Sequence, residues 1–164
     1  MAVDVVILLG GNIGDVGCRL SMCRELLAQR VGAVVSMSSE LETLPWGFSS
    51  DDLFVNQALV VRTTLTPSEL LEQTQAIEQL VGRDRAEEME QKVQSGERYA
   101  SRVIDVDIIT YGQEVVECEG LEIPHPRMHL REFVLRPMAE VAPKWRHPIL
   151  NITTEELLNK VSFG

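Results

Sequence analysis

A chain of 164 residues with 45% hydrophobic content is the size of one domain, and folding it removes roughly 70% of the unfolded surface from water. Its formal net charge of -10 argues against non-specific nucleic-acid binding, because phosphate backbones are held by an excess of Lys and Arg. The apolar opening from Val3 stops at Gly10 without a basic flank, too short for a signal peptide or membrane span, so a cytoplasmic monomer of one domain over 1–164, with no membrane partner, is expected.

Val3 to Leu9 is rich in β-branched residues and reads as a buried strand closed by Gly10-Gly11. Asp15 is a candidate N-cap for a helix in which Leu20, Cys23, Leu27 and Val31 recur at helical spacing, with Gly32 placed as its terminating glycine. Ala33 to Leu44 and Phe54 to Leu65 alternate as strands do, joined by a loop around Pro45-Trp46-Gly47. Thr66-Pro67-Ser68-Glu69 predicts a capping box and a second helix running to about Gly82.

Residues 83–102 carry many charges without sustained apolar periodicity and read as a long loop, with a helical turn around Ala86 to Val93. A strand over Val103 to Tyr111 follows, then a turn at Gly112-Gln113, short strands near Val115 and Leu121, a helix near Leu130 to Glu140 and a capped helix from Thr153. The order strand, helix, strand, strand, helix, strand predicts an α+β fold: a ferredoxin-like βαββαβ core, an antiparallel sheet packed with helices, extended by C-terminal strands and helices.

The sharpest chemical feature is Asp105-Val106-Asp107. On a strand the two carboxylates share one face about 6.5 Å apart, while Ile104, Val106 and Ile108 point into a core. Like charges so close call for a compensating cation, and magnesium suits a pair of carboxylates shared with substrate phosphates. The bland alternative is two solvated aspartates on an exposed strand. Arg83, Arg98 and Arg102 flank the pair in sequence and could grip phosphate oxygens, and a loop closing over ATP would exclude water. Gly10 to Asp15 lacks both the Gly-x-Gly-x-x-Gly spacing and a Walker lysine, and reads as a structural turn that caps the first helix. Cys18, Cys23 and Cys118 lack Cys-x-x-Cys spacing, so reduced thiols serving mostly as core filler are expected.

The run Arg98-Tyr99-Ala100-Ser101-Arg102-Val103-Ile104-Asp105-Val106-Asp107-Ile108-Ile109 resembles the signature of the 6-hydroxymethyl-dihydropterin pyrophosphokinase family at every position. Gly10 to Asp15, Thr43 to Gly47, Asn56, Gln75, Glu78 and Ile123-Pro124-His125 extend the resemblance along nearly the whole chain. It implies transfer of a diphosphate group from ATP to the alcohol of 6-hydroxymethyl-7,8-dihydropterin in folate biosynthesis, with two Mg2+ ions as cofactors. Asp105 and Asp107 would bind the metal, Arg83 and Arg102 would steady the moving group, and Asp107 would take the alcohol proton. Gln75, Glu78, Arg98, Arg102, His125 and Arg131 would bind ATP. The pterin would lie between Phe54 and Phe133, with Asn56, Thr43, Leu44, Trp46 and Tyr99 around it.

Several positions depart from the family's habit: Tyr99 for Trp, Ala100-Ser101 for Gly-Pro, Pro126 after His125, Gly120 and Glu122 for polar residues, and an acidic run from Glu87 to Glu90. Two other readings remain open at this stage: a non-catalytic pterin- or nucleotide-binding module on the same fold, and a nucleotidyltransferase that would release diphosphate instead of AMP.

Overall fold

The computed structural model describes residues 1–12, 15–43, 54–82 and 104–163. Four strands form the body of an antiparallel sheet: β1 (Val3–Gly11), β2 (Gly32–Met37), β4 (Phe54–Thr63) and β5 (Asp105–Tyr111), in the order β2-β4-β1-β5. A short β3 (Leu41–Thr43) pairs with the start of β4. Helices α1 (Val16–Arg30) and α2 (Pro67–Val81) cross over between strands, giving the expected ferredoxin-like βαββαβ order. Beyond it come a two-stranded hairpin, β6 (Val116–Cys118) with β7 (Leu121–Ile123), a single 3-10 turn at Met128–Leu130, and helices α3 (Glu132–Val141) and α4 (Thr154–Phe163).

Because successive strand residues face opposite sides, β1 builds two cores at once. Val5, Ile7 and Leu9 join Leu20, Leu27, Leu70 and Ile77 of α1 and α2 on one face. Val6 and Leu8 join Val134, Leu135, Met138 and Leu157 of α3 and α4 on the other. The sheet is therefore sandwiched, and the unbroken apolar run at the start of the sequence reflects burial on both faces. The bulge between Val6 and Ile7, where β5 shifts register, changes the alternation after Ile109: Ile109 faces α3 and α4 as Asp107 does, and Tyr111 returns to the α1–α2 side with Ile108.

The caps form as predicted. Asp15 Oδ1 accepts from the Cys18 N–H at 3.0 Å, and Thr66 and Glu69 exchange reciprocal bonds of 3.2 and 2.9 Å. Other boundaries differ. The single strand expected over Ala33 to Leu44 is broken at Ser38, whose hydroxyl accepts from the Ala58 N–H and whose carbonyl accepts from Gln57 Nε2. A side chain thus replaces one rung of the ladder and splits β2 from β3. Gly32 does not terminate α1 in a left-handed turn. It opens β2, where a Cβ would lie 1.9 Å from the Arg62 carbonyl oxygen. Gly10 and Gly11, expected to close β1, are its last two paired residues. Cys23 alone among the cysteines is buried, whereas Cys18 and Cys118 are exposed and not core filler. Among the described residues no helix is long and apolar enough to cross a membrane.

Candidate active site

Residues paired directly across antiparallel strands point to the same face, so the ladder register itself assembles a site. Thr43 pairs with Phe54 and Leu41 with Asn56. Asn56 then pairs with Gly10, and Gly10 with Asp105. One step along, Ala58 pairs with Leu8 and Leu8 with Asp107. Since Ala58 and Leu8 belong to the core under α3 and α4, Thr43, Phe54, Asn56, Asp105 and Asp107 all lie on that face. Ile104, Val106 and Ile108 are buried on the opposite one, as the strand alternation predicts.

Asp107 is exposed, Asp105 is half-buried and Asn56 is only 6% exposed. Two adjacent carboxylates offer the hard oxygen donors that magnesium prefers, with room left for water and phosphate oxygens. The donor chemistry therefore fits that ion.

Loops from the same side of the sheet add further candidates. The His125 N–H donates to the Ile109 carbonyl at 2.9 Å, which staples the turn after β7 to the outer edge of β5, two residues beyond Asp107. Burial first, then the nearby Arg131 and Arg127 charges, hold the His125 imidazole below its usual pKa. Its Nδ1 accepts from the Arg127 N–H at 3.4 Å, which leaves Nε2–H of the neutral ring as a donor. Arg131 places its guanidinium 5.6 Å from the centroid of the Phe133 ring in the first turn of α3, a cation–π distance. Phe133 remains 37% exposed, although a phenylalanine taken alone would be assigned to a core.

Gln75 and Glu78 come from α2, beneath the opposite face. Gln75 is exposed. Glu78 Oε2 accepts from the N–H of Val106 at 2.9 Å, reaching the edge strand between the two aspartates.

The profile of the 7,8-dihydro-6-hydroxymethylpterin-pyrophosphokinase (HPPK) family matches residues 6–143. This chain belongs to the HPPK family. A 2-amino-4-hydroxy-6-hydroxymethyldihydropteridine pyrophosphokinase of Porphyromonas gingivalis is 40% identical over 145 residues, covering 88% of this chain and 93% of that protein. The Bacillus subtilis protein of the same name is 38% identical over 92% of this chain and 84% of its own length. In the solved structures, wild-type Plasmodium falciparum HPPK-DHPS aligns with a TM-score of 0.75 at 15% identity. That likeness covers 98% of this chain but 45% of the larger one, and it speaks for the fold.

Within this HPPK domain, the structure brings Thr43, Phe54, Asn56, Asp105 and Asp107 onto one sheet face, with His125, Arg131 and Phe133 on elements packed against that side. Leu44, Trp46, Arg83, Arg98, Tyr99 and Arg102, together with the expected helical turn at 86–93, lie outside the described residues. Sequence reasoning treated Gly10 as the start of a turn and so passed over its place in the row between Asn56 and Asp105. Its signal was a glycine continuing a strand pattern, which marks close approach of another group.

Proposed function

We propose that this chain is a 2-amino-4-hydroxy-6-hydroxymethyldihydropteridine pyrophosphokinase: it transfers diphosphate from ATP to the hydroxymethyl group of 6-hydroxymethyl-7,8-dihydropterin, releasing AMP, in folate biosynthesis. The observation that carries the reading beyond family membership is the cross-strand row Asn56–Gly10–Asp105. It sets an amide suited to a heterocycle edge beside a carboxylate suited to a metal–phosphate group, on one continuous surface.

The pterin is a flat bicycle with two π faces and a polar rim. Phe54 and Phe133 supply rings from β4 and α3, and Asn56 supplies both an acceptor and donors for the rim. Thr43, Leu44, Trp46 and Tyr99 complete its surroundings. On the ATP side, Asp105 and Asp107 hold two Mg2+ ions. Bound there, the metal neutralises phosphate charge and lowers the barrier to displacement at phosphorus. Gln75, Glu78, Arg98, His125 and Arg131 hold the nucleotide, His125 through its neutral ring.

The hydroxymethyl oxygen attacks the β-phosphorus in line. The bond from that phosphorus to the α,β-bridging oxygen breaks, and AMP leaves with the oxygen. Arg83 and Arg102 stabilise negative charge on the moving group, and Asp107 receives the alcohol proton. Residues 1–164 act as one catalytic unit, a cytoplasmic monomer.

The test mixes purified protein, ATP, magnesium and 6-hydroxymethyl-7,8-dihydropterin and follows products by chromatography. Equal amounts of AMP and pterin diphosphate, formed only with magnesium, are expected. Release of free diphosphate would instead indicate nucleotidyl transfer, and pterin binding without AMP a non-catalytic module. Asp107→Ala is expected to lower kcat by at least about a thousandfold, since it removes a metal ligand and the proton acceptor together. A variant that turns over at the wild-type rate would exclude that role.

A further inference from the structure

Gly10 sits in the interior of the sheet, paired with Asn56 on one side and Asp105 on the other. Glycine there is unexpected on conformational grounds. Its φ is not left-handed, since Gly112 and Gly120 are the positive-φ glycines of the described residues, and glycine weakens a strand interior. What would replace the missing hydrogen explains it. A Cβ on Gly10 would stand 2.7 Å from the Asn56 side-chain oxygen, with its next neighbour, the Val55 carbonyl, at an ordinary 3.6 Å. The backbone would tolerate an alanine, but the Asn56 amide in its present position would not.

We infer that Gly10 is a positioning residue for substrate: its missing side chain leaves a notch in the sheet face that holds the Asn56 amide toward the pterin rim, next to Asp105. The inference rests on the reading of Asn56 as a hydrogen-bonding partner of the pterin. Asn56 is 6% exposed, so an amide pushed from this slot has few alternative positions in the packed surface. The clash falls on the end of a side chain and not on backbone, so alanine at Gly10 disturbs recognition more than folding. It also acts on the pterin half of the row and leaves the ATP half in place.

The experiment compares wild type, Gly10→Ala, Asn56→Ala and the double variant in the full chain. It reads the KM for dihydropterin and for ATP, kcat, the Kd of 6-hydroxymethylpterin by intrinsic fluorescence without ATP, and the thermal midpoint. Gly10→Ala is expected to raise the pterin KM and Kd roughly tenfold or more, the scale of one or two lost hydrogen bonds. The ATP KM should stay within about twofold. The double variant should match Asn56→Ala, because the displaced group is gone. Should Gly10→Ala fail to fold, the double variant still decides the matter: pterin affinity equal to that of Asn56→Ala supports the inference, and weaker affinity overturns it. If Asn56→Ala weakens binding while Gly10→Ala binds like wild type, the notch has no such role. If Asn56→Ala itself leaves pterin binding unchanged, the reading of Asn56 fails and the inference falls with it.

Discussion

Glycines on β1 and β2, the two strands that flank β4, lack room for a side chain for different reasons, and the difference predicts different phenotypes. At Gly10 the obstacle is the tip of the Asn56 side chain and not backbone. At Gly32 it is backbone: besides the Arg62 carbonyl oxygen at 1.9 Å, a Cβ would meet the Arg62 carbonyl carbon at 2.9 Å and the Thr63 Cα at 3.2 Å. Those atoms belong to β4, which is locked between β2 and β1, so relief requires moving a central strand. Gly32→Ala should therefore destabilise the protein by about 3 kcal/mol or more, at the upper end for overpacked sites. Urea unfolding would measure it, and a midpoint equal to wild type would show that β2 shifts freely. Cys23 illustrates burial at the same scale. The packing of α1 and, next, the Glu78 charge push its thiol up to about 12, so it is an inert part of the core and no nucleophile.

Between elements, the contact that matters most for the site is the one from α2 to β5. As the last strand in the sheet order β2-β4-β1-β5, β5 has an outer edge, and the Val106 N–H on that edge is taken by the Glu78 carboxylate at 2.9 Å. A charged acceptor on a backbone N–H is worth about 1.5–3 kcal/mol, and this one fixes the segment from which Asp105 and Asp107 project. Glu78→Ala should raise the magnesium concentration needed for half-maximal activity. Glu78→Gln, which keeps an acceptor oxygen, should recover much of the difference. Equal magnesium curves for the two variants would mean that charge matters at this position and the tie does not. The elements themselves were legible in sequence because their signals are local: the Thr66–Glu69 box, the Asp15 cap and the alternation from Ile104 to Ile108 each act within a few residues. The break at Ser38 was not, because it depends on a hydroxyl finding the Ala58 N–H of another strand. The strand extension through Gly10 and Gly11 was hidden for the same reason, since only pairing with β4 and β5 keeps those glycines extended.

Across the whole molecule, the aspartate pair and its face were readable from one strand, whereas the joining of Asn56, Gly10 and Asp105 into a row required strand order and register. No periodicity reports that two distant segments are neighbours. The C-terminal layer shows the same dependence on long-range contact. Between α3 and α4 the chain wraps around the buried His147, whose Nδ1 accepts from the N–H groups of both Ile149 and Leu150 at 3.2 Å. Its own N–H donates to the Ile152 carbonyl, and its carbonyl accepts from the Asn151 N–H. The ring packs edge-on to Trp145 at 5.6 Å and His129 at 6.2 Å between centroids, and the Trp145 indole N–H reaches the Gly112 carbonyl in the turn after β5. This loop therefore ties α4 to the sheet through an imidazole that works only when Nδ1 is unprotonated. Burial, and secondarily the His129 charge, hold its pKa below the usual 6.5. The unfolded chain thus binds a proton more readily than the folded one. This contribution to stability is complete above pH 6.5 and is lost as the pH falls from there through the lower folded value. His147→Asn offers a side-chain oxygen to the same two N–H groups without titrating. Urea midpoints taken between about pH 7.5 and 5.5 should fall less steeply for His147→Asn than for wild type, the titration of His125 being common to both. Parallel slopes would mean that His147 is protonated in the folded protein without loss of the loop, and would remove it as the hinge of the C-terminal layer.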